Sequence, residues 1–358
     1  MNQKLNIVRI KPHTEEWFEF RGTGIGGSEV AASLRMSRWL SQTRVYHDKV
    51  GDVLRPRINN RKMVMGRHIE DFIANLWQYY DGSDDGWVDN LDEGKVFRRC
   101  RKLNGFAVNP DYPWLYASVD RLINKGGMNM LDMESLSDEG ILECKNTEFM
   151  ASKNWENEIP DEYFLQVQQY MLIFDVKYAE IALFVNGNNL RVLPLRRDDG
   201  ICERVVNMTR DFWYDRVIPA KEAYKLYLDY FNKGMIDKAE EQMSIIQDLE
   251  PEPDDTRDYE DFKKDGLVSE VEKVRGGVKL YSFLKNDKMY TAMEKEIKSR
   301  KQYIKNVALN FMDKNKCTVV DFDSLGMLDN TKKWNNKIKE KPSDEFVREQ
   351  LDKITLNF

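Results

Sequence analysis

The spacing of apolar residues changes along the chain from a helical period to strand-like alternation and back. Residues 14–20 are expected to form a short helix, which ends at the glycine-rich run Arg21–Gly27. Ser28 is predicted to cap the N-terminus of the next helix, which runs through Leu34. Apolar residues at the spacing of one helix face predict a longer helix over about Arg61–Tyr80.

Short apolar runs that follow predict a series of strands. These lie at Arg101–Val108, Leu115–Ile123, Gly140–Lys145, Ala179–Val185 and Leu190–Leu195. Between the third and fourth strands Pro160 is expected to open a helix, because proline is favoured at the first helical position. The alternation of helices and strands predicts a mixed α/β domain of about 215 residues.

Helical spacing dominates the rest of the chain. Asn207–Asn232 is predicted to be helical, whereas the prolines within Glu250–Asp255 predict a loop. Apolar spacing over Gly266–Asn315 falls into two halves divided at Gly276-Gly277, which indicates a helical hairpin or arm. A short strand at Cys317–Phe322 is expected to return to the body.

These patterns predict an α/β (α+β) fold with a mixed sheet flanked by helices and a helical C-terminal extension. The predicted divisions are a core over residues 1–215 and a helical arm over 216–316 that carries an acidic loop at about 237–262. A C-terminal strand and helix over 317–358 are expected to return to the core.

Composition narrows the class of protein. The chain has 358 residues, of which 41% are hydrophobic, enough for one large core or two unequal ones. It has no apolar run near the roughly 20 residues of a membrane span, and its first residues lack the apolar segment of a secretory signal. The four cysteines are widely separated, so they form neither a zinc pattern nor a disulfide framework, and a reducing cytoplasm is expected.

Charge is unevenly distributed along the chain. The segment Asp237–Phe262 holds eleven acidic and two basic residues, so it carries −9 while the whole chain carries −6 and the remainder +3. Basic clusters occur at Arg55–Arg67 and Arg98–Lys102. Such clusters are usually solvated faces, but beside an acidic metal site they are candidate phosphate contacts.

The strongest chemical signal is an acidic residue on one predicted strand followed by a Glu-Cys-Lys run on the next. Asp120 and Glu143 supply the hard oxygen ligands that Mg²⁺ or Mn²⁺ prefers. Lys145 lies two residues after Glu143 on an extended strand, so both side chains are expected on one face. Such a site can activate water against a phosphodiester. An exposed ion pair between Glu143 and Lys145 is the alternative interpretation.

Three further positions are candidates for the same site. Glu70 lies on the predicted Arg61–Tyr80 helix and is a candidate outer metal ligand or water-orienting residue, although it could also cap the rim of the core. Gln166 on the Pro160 helix could hydrogen-bond the attacking water or the phosphate, or satisfy neighbouring backbone. Cys144 is expected to pack on the opposite face, and its backbone carbonyl is a candidate metal ligand.

The glycine-rich run offers a second candidate site. Arg21 and Ser28 flank it, and a helix N-terminus beside a guanidinium and a hydroxyl can bind a phosphate. The run Gly24-Ile25-Gly26-Gly27 lacks a Walker lysine and is not a nucleotide-binding fingerprint. An ordinary turn with a helix cap remains the alternative.

Together these blocks resemble the lambda-exonuclease and YqaJ-like viral recombinase family of the PD-(D/E)XK nuclease superfamily. The matching pieces are Trp17 with Arg21–Val30, Gly66–Glu70, Ser118–Asp120, Glu143–Lys145 and Pro160–Gln168. The resemblance implies a restriction-endonuclease-like core in which Asp120, Glu143, the Cys144 carbonyl and Glu70 hold the metal. It further implies that Lys145 and Gln166 act on the water and that Arg21 and Ser28 bind a DNA 5′-phosphate.

The resemblance also implies a function and partners. The expected activity is a Mg²⁺-dependent exonuclease (Mn²⁺ being an alternative ion) that digests one strand of linear double-stranded DNA, 5′→3′, for phage-type recombination. The expected partners are DNA ends, a single-strand annealing protein and further copies of the chain in a ring, with no membrane. The alternatives are a site-specific endonuclease, a Cas4-like nuclease and a non-catalytic DNA-end binder. No iron–sulfur cluster is expected, because the cysteines lack the close spacing of cluster ligands.

Overall fold

The structure is a computed structural model with two compact units, Met1–Leu267 and Val268–Phe358. The residues it describes are 5–12, 14–52, 61–83, 85–156, 158–265, 278–314, 319–321, 327–329 and 335–336. The predicted division at Gly276-Gly277 and the helix expected after residue 336 lie outside the described residues, as do residues 55–60 of the first basic cluster.

The first unit combines helices with short and long strands. Its helices are α1 (Glu15–Arg21), α2 (Gly27–Ser33), α3 (Gln42–Val50), α4 (Arg61–Trp77), α5 (Gly86–Asp92), α6 (Phe149–Ser152), α7 (Asp161–Phe174), α8 (Asp199–Phe212), α9 (Ile218–Asn232), α10 (Ile236–Asp248) and α11 (Arg257–Asp265). Its strands are β1 (Asn6–Val8), β2 (Ile25–Gly26), β3 (Cys100–Arg101), β4 (Phe106–Val108), β5 (Leu115–Tyr116), β6 (Arg121–Ile123), β7 (Met128–Asn129), β8 (Glu134–Ser135), β9 (Gly140–Thr147), β10 (Tyr178–Val185) and β11 (Asn189–Arg196). A 3₁₀ turn at Lys153–Trp155 follows α6, and a π-helical turn at Trp213–Val217 joins α8 to α9.

A five-stranded mixed sheet forms the centre of this unit, in the order β11-β10-β9-β6-β3. Strands β9 and β10 run parallel and are connected through α7, and the other neighbouring strands run antiparallel. Parallel neighbours need such a crossover connection, whereas antiparallel ones can be joined by short turns. The predicted fold class, a mixed sheet flanked by helices with a helical C-terminal region, is confirmed.

The two faces of the sheet bury different helices, because successive side chains of a strand point to opposite sides. On one face Ile141 of β9 belongs to the core that contains Val167 of α7. On the other face Leu142 and Cys144 lie in the core that contains Trp77 of α4. The predicted orientation of Cys144, away from its neighbour Glu143, is therefore confirmed.

Two predicted strands are each broken into two. The run predicted at Arg101–Val108 forms β3 and β4, separated at Gly105, whose φ of +121° favours glycine. A side chain there would also meet the backbone of Val8, since a Cβ would lie 2.3 Å from its carbonyl oxygen. The run predicted at Leu115–Ile123 forms β5 and β6, and Asp120 lies in the bend just before β6.

The acidic segment is more helical than predicted. Residues at both ends of the predicted acidic loop, about 237–262, belong to α10 and α11, and only the part around Glu250–Asp255 is a loop. A carboxylate at the start of α11, just after this loop, binds α3 and its N-cap. Asp258 accepts hydrogen bonds from the backbone N–H and hydroxyl of Ser41, the N-cap of α3, at 2.9 and 2.8 Å, and pairs with Arg44 at 2.7 Å.

Within its described residues, the second unit contains a long helix followed by a small sheet. Helix α12 (Val278–Lys314) precedes β12 (Val319–Asp321), β13 (Met327–Asp329) and β14 (Asn335–Asn336), which pair antiparallel in that order. The strand predicted at Cys317–Phe322 is confirmed over its described part. No helix in the described ranges combines the length and apolar character needed to cross a membrane.

Histidine 47 lies between two carboxylates where α3 meets the acidic segment. Its Nδ1 is 2.9 Å from Asp52 Oδ1, its Nε2 is 3.8 Å from Glu250 Oε2, and its ring stacks on Phe262. Burial lowers the pKa of His47, but the hydrogen bonds to Asp52 and Glu250 outweigh that effect, so its pKa is raised above the ordinary value.

A raised pKa in the folded state means that protonated His47 stabilises the fold below its unfolded pKa of about 6.5 and that this contribution is lost as pH rises through the folded pKa. We therefore expect His47→Gln to destabilise the protein by about 1–3 kcal/mol near pH 6 and by less at alkaline pH. Urea unfolding across this pH range measures the difference. His68→Gln, at an exposed histidine, is the control, and a His47→Gln cost that does not fall with pH would contradict this role.

Candidate active site

Strand β9 places Glu143 and Lys145 on the face that packs against α7. Lys145 Nζ donates to Glu143 Oε1 at 2.7 Å, as expected for residues two positions apart on one strand. The carboxyl group of Glu143 is buried, with 3% of the residue exposed, whereas the Lys145 side chain is 21% exposed. This buried pair does not fit the alternative of an exposed surface ion pair.

Helix α7 brings Gln166 onto the same two side chains. Its Nε2 donates to Glu143 Oε1 at 2.8 Å, and its Oε1 accepts from Lys145 Nζ at 3.2 Å. The amide also donates to the hydroxyl of Tyr170, one helical turn later, at 2.9 Å. Gln166 thus fixes the geometry of the pair from the neighbouring layer, and Tyr170 holds Gln166.

Asp120 reaches the site from the bend before β6. Its Oδ2 accepts the backbone N–H of Cys144 at 2.7 Å, so this carboxylate lies beside the backbone between Glu143 and Lys145. The side chain takes the N–H of the neighbouring strand, which explains why the β6 ladder begins only at Arg121.

The two carboxylates destabilise each other's charge. Burial raises the pKa of Asp120 well above its ordinary value, and the nearby charges of Glu143 and Glu70 raise it further. Burial also raises the pKa of Glu143, although Lys145 opposes that shift. The pKa of Lys145 is raised because Glu143 and Asp120 outweigh its burial, so the ammonium stays charged.

One oxygen of Glu143 has no partner. Glu143 Oε2 is buried and makes no hydrogen bond within the part of the chain that the structure describes. An unpaired carboxylate oxygen in a protein interior is costly unless a cation or donor meets it. Glu143 Oε2 therefore marks a position at which the described protein groups supply no partner and a bound cation or donor would be favourable.

Glu70 lies on the other side of this group, on α4. Its Oε1 accepts from Arg121 at 2.8 Å, and Lys102 Nζ is 3.8 Å away. Arg121 is itself buried, donates to the backbone carbonyl of Asp120 at 2.5 Å, and pairs with Asp71. The structure thus brings Glu70 within electrostatic reach of Asp120 but directs its carboxylate to a cation.

Tyr163, Trp155 and Arg121 lie at the site but were not assigned to it from the sequence. Lys145 Nζ lies 4.8 Å from the centre of the Tyr163 ring, which stacks on Trp155 at 4.8 Å. The spacing of Tyr163, Gln166 and Tyr170 on one helix face was visible in the sequence. Arg121 follows Asp120 directly, but nothing in the sequence indicated that it would turn to α4.

The glycine-rich turn differs in one respect from the prediction. Ser28 is not the N-cap of the second helix, because α2 already begins at Gly27 and Gly26 is its N-cap. The carboxylate of Glu29 causes this early start, since it accepts the backbone N–H of Gly26 at 2.9 Å. Ser28 is exposed in the first turn of the helix.

Close packing requires the two glycines at this turn. A Cβ on Gly26 would lie 2.7 Å from the Tyr116 ring, and one on Gly27 would lie 2.4 Å from the Tyr170 ring. Tyr170 is the residue that holds Gln166. Tyr170 therefore contacts both the glycine-rich turn and the carboxylate site.

Arg21 at this turn pairs with Glu29 through its Nη2 at 2.8 Å, and its guanidinium lies 4.8 Å from the centre of the Trp17 ring. The guanidinium remains partly accessible, with 30% of the side chain exposed. The sequence predicted Arg21 as part of this candidate site. It did not reveal that Glu29 would form ion pairs with both Arg21 and Lys49.

Comparison with protein families is consistent with this arrangement. A family model for the YqaJ-like viral recombinase domain matches residues 16–177. This range contains Arg21, Glu70, Asp120 and the segment Glu143–Gln166, which are the groups described above.

Sequence identity to an individual curated protein is low. An uncharacterized protein YqaJ of Bacillus subtilis (strain 168) is 26% identical over 226 residues, 61% of this chain. The match covers 62% of that protein, so the chain spans less than two thirds of its length.

Two solved structures are also similar in part. An alkaline exonuclease from Laribacter hongkongensis has 17% identity and a TM-score of 0.44 over 62% of this chain and 100% of that one. A phage-related exonuclease from Haemophilus somnus 129PT has 10% identity and a TM-score of 0.32 over 54% of this chain and 93% of that one. Residues 16–177 of the chain are therefore similar to the YqaJ-like viral recombinase domain.

Proposed function

We propose that this protein is a divalent-metal-dependent nuclease that digests one strand of linear double-stranded DNA from an end. The observation that carries the proposal is the unpaired, buried Oε2 of Glu143, set beside Asp120 and hydrogen-bonded through its other oxygen to Lys145 and Gln166. The 5′→3′ direction and the role in phage-type recombination follow from the family and are part of the proposal.

The residues present fit a hard divalent ion. Asp120 and Glu143 offer carboxylate oxygens, and the unpaired atom of Glu143 supports a cation at that position. No three His, Cys, Asp or Glu side chains within the described ranges are arranged to hold a metal ion. The backbone carbonyl of Cys144 and water would therefore complete the ligands of Mg²⁺, which ordinarily keeps several waters. Such an ion supplies Lewis-acid stabilisation and lowers the pKa of a bound water.

The chain's own side chains would orient the attack. Lys145 carries a charged ammonium with donors beyond the ones given to Glu143 and Gln166, so it can hold the attacking water or the negative charge that develops on the phosphate. The amide of Gln166 fixes that ammonium, and the Tyr163 ring limits its motion. Glu70, which pairs with Arg121, would orient an outer water. It would not bind the phosphate, because the two groups are both negatively charged.

Arg21 is proposed to bind the terminal 5′-phosphate, because its side chain is partly exposed at the turn whose Gly27 packs on Tyr170 of the carboxylate site. Ser28 is exposed in the first turn of α2 and remains a candidate second contact. Family members are expected to assemble as rings and to work with a single-strand annealing protein, and both stay predictions for this chain.

End-labelled linear, nicked and closed circular duplexes test the proposed function. With Mg²⁺ the protein should release nucleotides from linear DNA and leave closed circles intact, and a 5′ label should be lost before a 3′ label. Ca²⁺, with longer and looser coordination, should support binding with little turnover. Cutting of closed circles would favour an endonuclease, and binding without cutting in any metal would favour an end-binding protein.

The crowding of carboxylates predicts a trade-off between stability and metal binding. Asp120→Asn keeps the acceptor for the Cys144 N–H but removes a buried carboxyl group whose ionisation is opposed by burial and by the charges of Glu143 and Glu70. We expect it to raise the metal-free stability by roughly 1 kcal/mol or more. Melting temperatures in EDTA and in Mg²⁺ measure both effects.

Mg²⁺ should stabilise the parent protein by mass action and should not stabilise Asp120→Asn. Glu134→Gln, at an exposed carboxylate, is the matched control and should respond like the parent. A variant that still gains the full Mg²⁺ stabilisation would remove Asp120 from the metal site.

Lys145 gives a separate prediction about the chemistry. Lys145→Ala should slow cleavage by roughly 10²–10³-fold or more, since a donor aimed at developing charge is lost. Lys145→Arg should be almost as slow, because a planar guanidinium does not fit the place of a compact ammonium. Single-turnover rates on linear duplex measure the effect, with Lys153→Ala as the control at an exposed lysine. A rate within a few-fold of the parent would show that Lys145 serves only the ion pair.

A further inference from the structure

The carboxylate of Glu29 collects hydrogen bonds from four directions. It accepts from Lys49 Nζ at 2.7 Å, from Arg21 Nη2 at 2.8 Å, from the Gly26 N–H at 2.9 Å and from the Tyr116 hydroxyl at 3.3 Å. The side chain of Glu29 is 11% exposed and that of Lys49 is 2% exposed. Both oxygens therefore already have partners within the protein, Oε1 one and Oε2 three.

The charges of this cluster do not cancel. Two cations surround one carboxylate, because Lys49 and Arg21 both pair with Glu29. Burial raises the pKa of Glu29, but the two cations more than offset this and lower it to about 2, so the carboxylate is ionised. Lys49 lies inside the protein, whereas 30% of the Arg21 side chain is exposed. The surplus positive charge therefore reaches solvent at Arg21.

Lysines from two other helices donate hydrogen bonds to the backbone carbonyls at the C-terminal end of α1, where Arg21 lies. Lys49 Nζ on α3 donates to the Arg21 carbonyl at 2.7 Å. Lys221 Nζ on α9 donates to the next carbonyl, that of Gly22, at 2.8 Å. Cations at the end of a helix are favourable, since the last carbonyls of α1 lack helical partners. These bonds fix the end of α1 but leave the direction of the guanidinium to its side-chain partners.

We propose that Glu29 is a positioning residue for the DNA-end pocket: it holds the guanidinium of Arg21 through one edge, with Lys49 as the internal counter-cation, so that the remaining N–H groups face a terminal phosphate. This inference rests on the proposed function and adds to it the carboxylate that orients the phosphate-binding side chain. The hydrogen bond to Glu29 is the one side-chain hydrogen bond of Arg21 within the described residues, which leaves further donors for a phosphate.

If the cluster only stabilised the fold, the ion pair of Lys49 with Glu29 would suffice, because one lysine neutralises one glutamate. Arg21 is a second cation, partly exposed, that such a structural pair does not need. An arginine fixed in advance also loses less freedom when it binds, which favours affinity for the ligand it faces.

The test compares cleavage of linear duplexes with 5′-phosphate and with 5′-hydroxyl ends by the full chain with Mg²⁺. The parent should prefer the phosphorylated end, and Arg21→Ala should lose that preference, by roughly ten- to a hundred-fold. Glu29→Gln should lose most of it through a higher KM for the phosphorylated end, with a smaller change in kcat. Glu19→Gln, at an exposed carboxylate of α1, should keep it.

The variant Glu29→Gln leaves Lys49 buried without its partner and could destabilise the fold. The double variant Glu29→Gln/Lys49→Met removes both charges, and its melting temperature reports folding. We expect the folded double variant still to lack the phosphate preference, because Arg21 has lost its anchor. A restored preference, or equal losses on both kinds of end, would overturn the positioning role. A parent without any preference would instead contradict the proposed pocket itself.

Discussion

Glu143 is buried against Lys145 and Gln166, and one of its carboxylate oxygens has no hydrogen-bond partner among the described residues. The rest of the site is arranged around this constraint. An ionised carboxylate in a protein interior requires partners, and its two partners, Lys145 and Gln166, both bind the same oxygen, Oε1. Asp120 makes the problem worse by adding a second negative charge. A divalent cation would offset both costs at once, and this supports the proposal of a metal site over that of a stabilising ion pair.

The carboxylates and the glycine-rich turn form one connected structure. The hydroxyl end of the Tyr170 ring packs on Gly27, and its hydroxyl accepts a hydrogen bond from Gln166. Gln169 of the same helix donates to the backbone carbonyls of Ile25 and Tyr116. Helix α7 thereby fixes the distance between the place where a phosphate end would bind and the place where a phosphodiester would be cut. A shift of α7 would disturb both functions together, whereas a change at Arg21 alone would disturb one.

The periodicity of apolar residues and the order of the motifs were sufficient to predict much of this structure. Both signals depend on residues that are close together in the sequence. The helix at residues 14–20, the alternation of Glu143, Cys144 and Lys145, and the mixed sheet are examples that are confirmed. The predicted cap at Ser28 was wrong because a side chain one position later, Glu29, reaches back to Gly26.

What remained hidden were contacts between residues far apart in the chain. Lys49 lies 20 residues from Glu29, and Arg121 lies 51 residues from Glu70. Neither pairing leaves a periodic trace in the sequence.

Binding of Mn²⁺ to the parent protein and to Glu143→Gln, followed by electron paramagnetic resonance, tests the metal site most directly. Glutamine keeps the shape and the acceptor for Lys145 but provides no second anionic oxygen. We expect saturable Mn²⁺ binding by the parent that Mg²⁺ displaces, and an affinity for Mn²⁺ weaker by roughly 10–100-fold or more in the variant. Equal affinity in the two proteins would contradict the assignment of the unpaired Glu143 oxygen as a metal ligand.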